Sequence, residues 1–152
     1  MKSPDVLFVC VHNAGRSQMA KAFFNIEAKQ AGLRLVADSA GTFPAMRVHP
    51  EVLAVMHEIG IGLSAATGKL LTDDLLTGEP RIITMGCSVD SEACPALRLD
   101  AVVDWGLPDP KGKSLAHVRE IRDEIHQRVK LLIAEMAVSA DVGRPGLVTR
   151  ST

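Results

Sequence analysis

The stretch VLFVCVHNAGRSQMA, Val6 to Ala20, decides how the rest of the chain is read. Val6 to Val9 is a continuous apolar run with β-branched residues, the pattern of a strand covered on both faces and therefore of a parallel sheet. From Ser17 the period becomes helical: Met19, Ala22, Phe23, Ile26 and Ala31 recur near 3.6, and Gly32 ends the run. Cys10 thus falls between a strand and a helix, at the carboxyl edge where parallel α/β folds bind their ligands.

The intervening Val11, His12, Asn13, Ala14 and Gly15 are few enough to aim successive backbone N–H groups inward as an anion nest, with the positive end of the next helix behind them. Gly15 permits a positive φ or a close backbone approach. Ser17 is expected to cap the helix and to donate to the cysteine sulfur. Arg16 supplies a planar fork suited to two oxygens of a tetrahedral oxyanion. Such surroundings favour a thiolate at Cys10, placed for in-line attack on the central atom of a bound oxyanion. A buried strand cysteine with an unrelated surface arginine is the plainer alternative. The Cys-x5-Arg-Ser spacing at a strand-to-helix junction argues against it.

Outward from this loop, strands and helices alternate. RLVADSAGT reads as a second strand, RIITM as a third and AVVDW as a fourth. HPEVLAVMHEIG reads as a helix opened by Pro50 and stopped at Gly60, with Val52, Met56 and Ile59 on one face. Ser114 to about Met136 is the clearest helix, with Leu115, Val118, Ile121, Ile125, Val129 and Leu132 at steps of three and four. Alternation of this kind predicts one α/β domain, a four-stranded parallel sheet with helices on both faces. The expected domain runs over 1–136, with 137–152 a flexible tail lacking periodicity.

A net charge of −1, four Phe, one Trp and no Tyr disfavour a polyanion-binding or base-stacking surface. No apolar run reaches the ~18 residues of a membrane span, and MKSPDVLFVC is too short in its apolar part for a signal peptide. A cytosolic monomer is expected, with no nucleic acid or membrane partner. In that compartment Cys10, Cys87 and Cys94 are unlike a static disulfide framework. Reactive, metal-bound and inert thiols remain open for them. A zinc site has little support, because there is no Cys-x2-Cys and no histidine at ligand spacing. His12 reads as loop structure, and His49, His57, His117 and His126 as surface or packing residues. GLSAATGKL has the wrong spacing for a nucleotide loop, and no Gly-x-Gly-x-x-Gly follows a strand.

In LPDP, Asp109 sits between two prolines after the fourth strand, a rigid mount for a carboxyl or simply a turn start. In TMGCSVDSEACP, Cys87 follows the third strand and Cys94 lies seven positions on. In a regular helix their Cα atoms would be ~10 Å apart, whereas a disulfide needs ~7 Å or less. Either the segment is a loop or it must unwind before the two can bond.

CVHNAGRS resembles the phosphate loop of the low-molecular-weight tyrosine phosphatase fold. DSAGT and DWGLPDPKGKSLAHVREIRDEI resemble the arsenate reductases built on that fold, particularly the thioredoxin-coupled kind. The resemblance covers about Val6 to Met136. It implies that Val11 to Arg16 bind the oxyanion, that Arg16 and Ser17 assist Cys10, and that Asp109 is the general acid. It further implies that Cys10 attacks arsenate, Cys87 attacks Cys10 with release of arsenite, and Cys94 attacks Cys87. The exposed Cys87–Cys94 disulfide would then be reduced by an external thiol protein, thioredoxin, with no bound cofactor or metal. Phosphate and sulfate would compete for the pocket.

Two features depart from that pattern. Relatives that bind potassium do so through an Asn, here Asn13, and carboxylates elsewhere; Lys21 and Lys69 stand where the carboxylates would be. Either a lysine ammonium takes the ion's place, with a hydrogen bond to Asn13 as one way to hold it, or both lysines are ordinary exposed helix residues. Lys111, not an aromatic, follows Pro110, which suits a small inorganic oxyanion better than an aryl ester. The alternatives are a phosphatase for phosphotyrosine or small phosphoesters with redox-protective cysteines, and a non-catalytic oxyanion or redox sensor. The sensor has no use for Asp109.

Overall fold

The computed structural model describes residues 4–86 and 102–142, with side chains to 138. Cys87, Cys94 and residues 143–152 lie outside the described residues, so the expectations placed on them are not addressed by the fold.

Four strands form one parallel sheet: β1 (Val6–Cys10), β2 (Ala37–Gly41), β3 (Arg81–Thr84) and β4 (Val102–Asp104), in the order β2-β1-β3-β4. All three pairings are parallel, with Val6 opposite both Ala37 and Arg81. The chain steps one way from β1 to β2 and the other way through β3 and β4. Cys10 therefore ends the strand beside the point where the winding reverses, the place such sheets leave a crevice.

The apolar run of β1 is continuous because both of its faces are covered. Val6, Phe8 and Cys10 join a core with α1 (Arg16–Gln30), α2 (Pro50–His57) and α3 (Leu115–Val142). Leu7 and Val9 face the other way, into a smaller cluster with Ala40, Leu71 and Ile82. Among the described residues, the three α-helices share the first face, and a single 3-10 turn over Asp73–Leu76 lies on the second, with Leu75 and Leu76 packed against that cluster. The 3-10 turn has no counterpart in the sequence reading.

Gly32, at φ +73°, closes α1 as expected. Leu33 N–H donates to Ala28 O and Gly32 N–H to Lys29 O, and Leu33 turns back onto the core. The buried stripe of α1 differs from the expected one. Ala20, Phe24 and Ala28 are buried while Ile26 is 37% exposed, because α1 is pressed between the sheet and α3 and buries two adjoining rows. On α2 the buried residues are Val52, Val55 and Met56, and Ile59 lies past the helix end. On α3 the expected Val118, Ile121, Ile125, Val129 and Leu132 are buried, whereas Leu115 at its first position is exposed. The helix continues past Met136 to Val142, so the start of the expected tail is helical. Among the described residues no helix is long and apolar enough to cross a membrane.

Two polar ties fix the helices to one another. Arg122, 8% exposed, donates to Val55 O and Glu58 from inside the α2–α3 contact. His126 stacks on Phe23 and meets Glu27 at 2.8 Å, joining α3 to α1. These ties account for His126 as a packing residue.

Candidate active site

The loop after β1 closes around the sulfur of Cys10. Asn13 adopts φ +51° and turns its backbone N–H onto Cys10 Sγ at 3.2 Å. Ser17 Oγ lies 2.9 Å from the same sulfur. Asn13 Nδ2 donates to Ser17 Oγ at 2.8 Å, so Ser17 can turn its hydroxyl proton to a Cys10 thiolate or accept from the thiol. The thiolate is the form in which both the Asn13 N–H and the Ser17 hydroxyl donate to the sulfur, which favours it.

Ser17 was expected to cap α1 and does not. The cap position belongs to Gly15, with no side-chain bond; Ser17 lies inside the first turn, its hydroxyl engaged by Asn13 and Cys10. The first N–H groups of α1 thus have no side-chain cap and remain for an anion at the helix start.

Asn13 is the hub of the loop. Its Oδ1 accepts from Lys69 N–H at 2.9 Å and Gln18 Nε2 at 3.3 Å, and Gln18 also donates to Asn13 O and Thr67 O. Among the described residues no buried side-chain nitrogen or oxygen lacks a partner. Gly41, at the end of β2, is needed here: a Cβ would stand 2.4 Å from Val11 O.

Arg16 is buried at 8% exposure. Its Nη1 donates to Met85 O at 2.9 Å and Leu107 O at 2.6 Å, the carbonyls just past β3 and β4. With both Nη1 protons engaged there, Nε and Nη2 are the groups left for an oxyanion. Arg16, Cys10, Ala14 and Gly15 line a cleft of about 180 Å³ whose opposite wall is Asp109, Pro110 and His49. That volume suits a small tetrahedral anion. A larger hollow of about 510 Å³ between Ile82, Trp105 and Leu131 has no cysteine, serine or histidine in its lining.

Asp109 heads a turn in which its Oδ1 accepts Lys111 N–H at 3.0 Å. Three residues on, Gly112 N–H donates to Glu51 Oε2 at 2.9 Å, tying the turn to the first turn of α2. Glu51's own backbone N–H and that of Gly112 hold its carboxyl below the ordinary value.

The two lysines behave differently from expectation. Lys21 and Lys69 both pair with Asp38, at 3.3 and 2.5 Å, and neither ammonium is bonded to Asn13. It is the backbone N–H of Lys69 that reaches Asn13 Oδ1, because the Asn13 carboxamide faces the main chain of that segment. Burial pushes Asp38 up, but the Lys69 and Ser39 hydrogen bonds and the two ammonium charges outweigh it and hold the carboxyl below its usual value.

The structure therefore brings Cys10, Val11 to Arg16, Ser17 and Asp109 to one place. His12 is loop structure, its Nδ1 3.0 Å from Phe43 O. His49 is the residue the sequence reading missed: it is not merely on the surface but in the cleft wall. The signal for it was Pro50, which fixes a helix start immediately after a loop leaving the carboxyl edge of the sheet.

A sulfur held by two donors beneath a helix start, an anchored arginine and a carboxyl across the cleft define a thiol-centred oxyanion site. The family model for low molecular weight phosphotyrosine protein phosphatases matches residues 5–142, and the chain belongs to that family. A putative arsenate reductase of Halobacterium salinarum is 45% identical over 134 residues, covering 84% of this chain and 89% of its own. A glutaredoxin arsenate reductase of Synechocystis is 34% identical, covering 87% of this chain and 98% of its own. Among solved structures, the thioredoxin-dependent arsenate reductase of Corynebacterium glutamicum superposes with a TM-score of 0.69 at 39% identity, over 90% of this chain and 63% of that one.

Proposed function

We propose that this protein reduces arsenate to arsenite in the cytosol by a three-thiol relay. Cys10 Sγ attacks arsenic, and one arsenate oxygen leaves as water, protonated by Asp109 while Arg16 and the loop N–H groups hold the others. Cys87 then attacks Cys10 Sγ, and the electron pair of the breaking S–As bond reduces arsenic to the trivalent state. Cys94 attacks Cys87, freeing Cys10, and the Cys87–Cys94 disulfide is reduced by the dithiol of thioredoxin.

The observation that carries this reading is the pair of donors on Cys10 Sγ in an oxyanion-sized cleft faced by Asp109. The names of the similar reductases favour arsenate over a phosphoester as substrate. The Synechocystis relative makes glutaredoxin the competing reductant.

The decisive assay is steady-state arsenite formation with thioredoxin, thioredoxin reductase and NADPH. Arsenite should accumulate in step with NADPH oxidation. Cys87→Ser and Cys94→Ser should each stop multiple turnover while leaving phosphoester hydrolysis by Cys10 intact. A Cys94→Ser enzyme turning over arsenate at the wild-type rate with thioredoxin would refute the relay. The family's phosphatase name sustains a second reading, hydrolysis of phosphoesters with protective thiols. It predicts that both serine variants retain full activity on phosphoesters and that no variant, nor wild type, makes arsenite.

A further inference from the structure

The first turn of α2 is drawn to the cleft at more points than helix packing requires. His49 N–H donates to Ala14 O at 2.8 Å, pinning its backbone to the loop around Cys10. Its imidazole lines the cleft together with Cys10, Arg16 and Asp109. Above Gly15, the point where a Cβ would stand is 3.4 Å from His49 Cδ2 and 3.0 Å from Pro110 Cγ. The histidine ring and the Asp109–Pro110 turn thus converge over the one loop residue with no side chain to part them. His49 is half-buried, so solvent also reaches it.

A general acid must carry a proton when the leaving oxygen departs, and aspartate in water is ionised at neutral pH. The groups facing His49 are Asp109 and Glu51, which favour its charged form, and Lys111 and His12, which oppose it. Burial outweighs the carboxylates and holds the imidazole below its ordinary value. The ring is thus held toward its neutral form in the cleft it shares with Asp109, to which it makes no direct hydrogen bond, and an arriving anion adds the negative charge that draws a proton onto it.

We propose that His49 is the proton relay for Asp109, taking up a solvent proton as the oxyanion enters and passing it to the carboxylate that protonates the leaving oxygen. The inference rests on Asp109 being the acid. The balance is one proton: it leaves the imidazolium nitrogen, binds a carboxylate oxygen of Asp109, and departs on the leaving oxygen as water. The ring ends neutral, the carboxyl ends ionised, and no electrons move through either. His49 acts through Asp109 and is a positioning and supply residue for it.

The test is a double-mutant cycle on kcat/KM for arsenate with His49→Gln, Asp109→Asn and the pair. Asp109→Asn is expected to lose about a hundredfold and His49→Gln about tenfold. The double variant should fall no lower than Asp109→Asn alone. In wild type kcat should decline as pH rises through the titration of His49 in the complex, and His49→Gln should lack that limb. His49→Ala should regain rate on addition of imidazole. As a structural control, the pH dependence of Cys10 alkylation, read in a Cys87→Ser/Cys94→Ser background, should not move, since Asn13 and Ser17 are untouched. Losses that multiply in the double variant, or no imidazole rescue together with altered Cys10 alkylation, overturn the relay. If Asp109→Asn has no effect, the assignment of the acid fails and the relay with it. If wild type forms no arsenite, the arsenate reading fails separately. The same cycle run on phenyl phosphate, whose leaving oxygen also needs a proton, then decides the role of His49.

Discussion

The two loops that meet at the cleft are built on opposite plans. The loop from Cys10 to Ser17 is buried except at Val11 and His12 and is held at many points, with Asn13 alone engaging Cys10, Ser17, Gln18 and Lys69. The loop carrying Asp109 is exposed and held from outside, by one bond from Gly112 to Glu51 and by Pro110 seated over Gly15. Cys10, the proposed nucleophile, is thus preorganised by a buried polar network, at the cost of ordering it. Asp109, the proposed acid, is positioned by a helix from elsewhere in the chain. Damage to the first loop should change the chemistry of the sulfur, whereas damage to the second should change only proton delivery.

Substitutions can separate the two plans. Cys10→Ser should leave the fold intact and abolish both arsenite formation and phosphoester hydrolysis, since an unactivated hydroxyl replaces the held sulfur. Asn13→Ala removes a donor from Ser17 and puts a less tolerant residue at φ +51°. A loss of ~2 kcal/mol in chemical denaturation is expected, together with slower Cys10 alkylation near neutral pH. Glu51→Ala should reduce kcat about threefold by loosening the acid loop, with alkylation of Cys10 unchanged; a shift in alkylation would mean that the loops are not independent.

The smallest effect concerns Asp38, whose carboxyl is held below 3.8. A lowered folded value stabilises the protein above the unfolded value and is lost as pH falls through the folded one. Asp38→Asn should therefore cost up to about 1 kcal/mol at pH 7, because its lysine partners are well exposed. Thermal melts should show that difference shrinking below pH 3.8.

What could be read from the sequence follows from how local the determinant is. The burial of β1 on both faces, the stop at Gly32 and the α3 stripe from Val118 to Leu132 each depend on neighbours a few residues away. They appeared where the pattern put them. The convergence of Cys10, Arg16 and Asp109 was legible because each follows a strand of one parallel sheet, whose carboxyl ends share an edge. Other features depended on distant partners. Ile26 and Phe24 exchange roles because α3 covers α1 from a side the α1 sequence does not record. Ser17 looks like a cap in isolation, yet Asn13 and Cys10 claim its hydroxyl. His49 enters the cleft only because its backbone bonds Ala14. Lys69 reaches Asn13 through its main chain, a contact side-chain identity does not encode.

Arg16 carries a consequence of a different kind. One nitrogen of its guanidinium spans the carbonyls of Met85 and Leu107, while the rest of the group faces the cleft. Anion affinity and the conformation of the chain at Met85 are therefore thermodynamically linked through a single cation. Any rearrangement that withdraws the Met85 carbonyl must change the affinity for the oxyanion, and the bound oxyanion must bias that rearrangement by the same factor. In the sequence the next residue but one after Met85 is Cys87, which the proposed relay makes its second thiol.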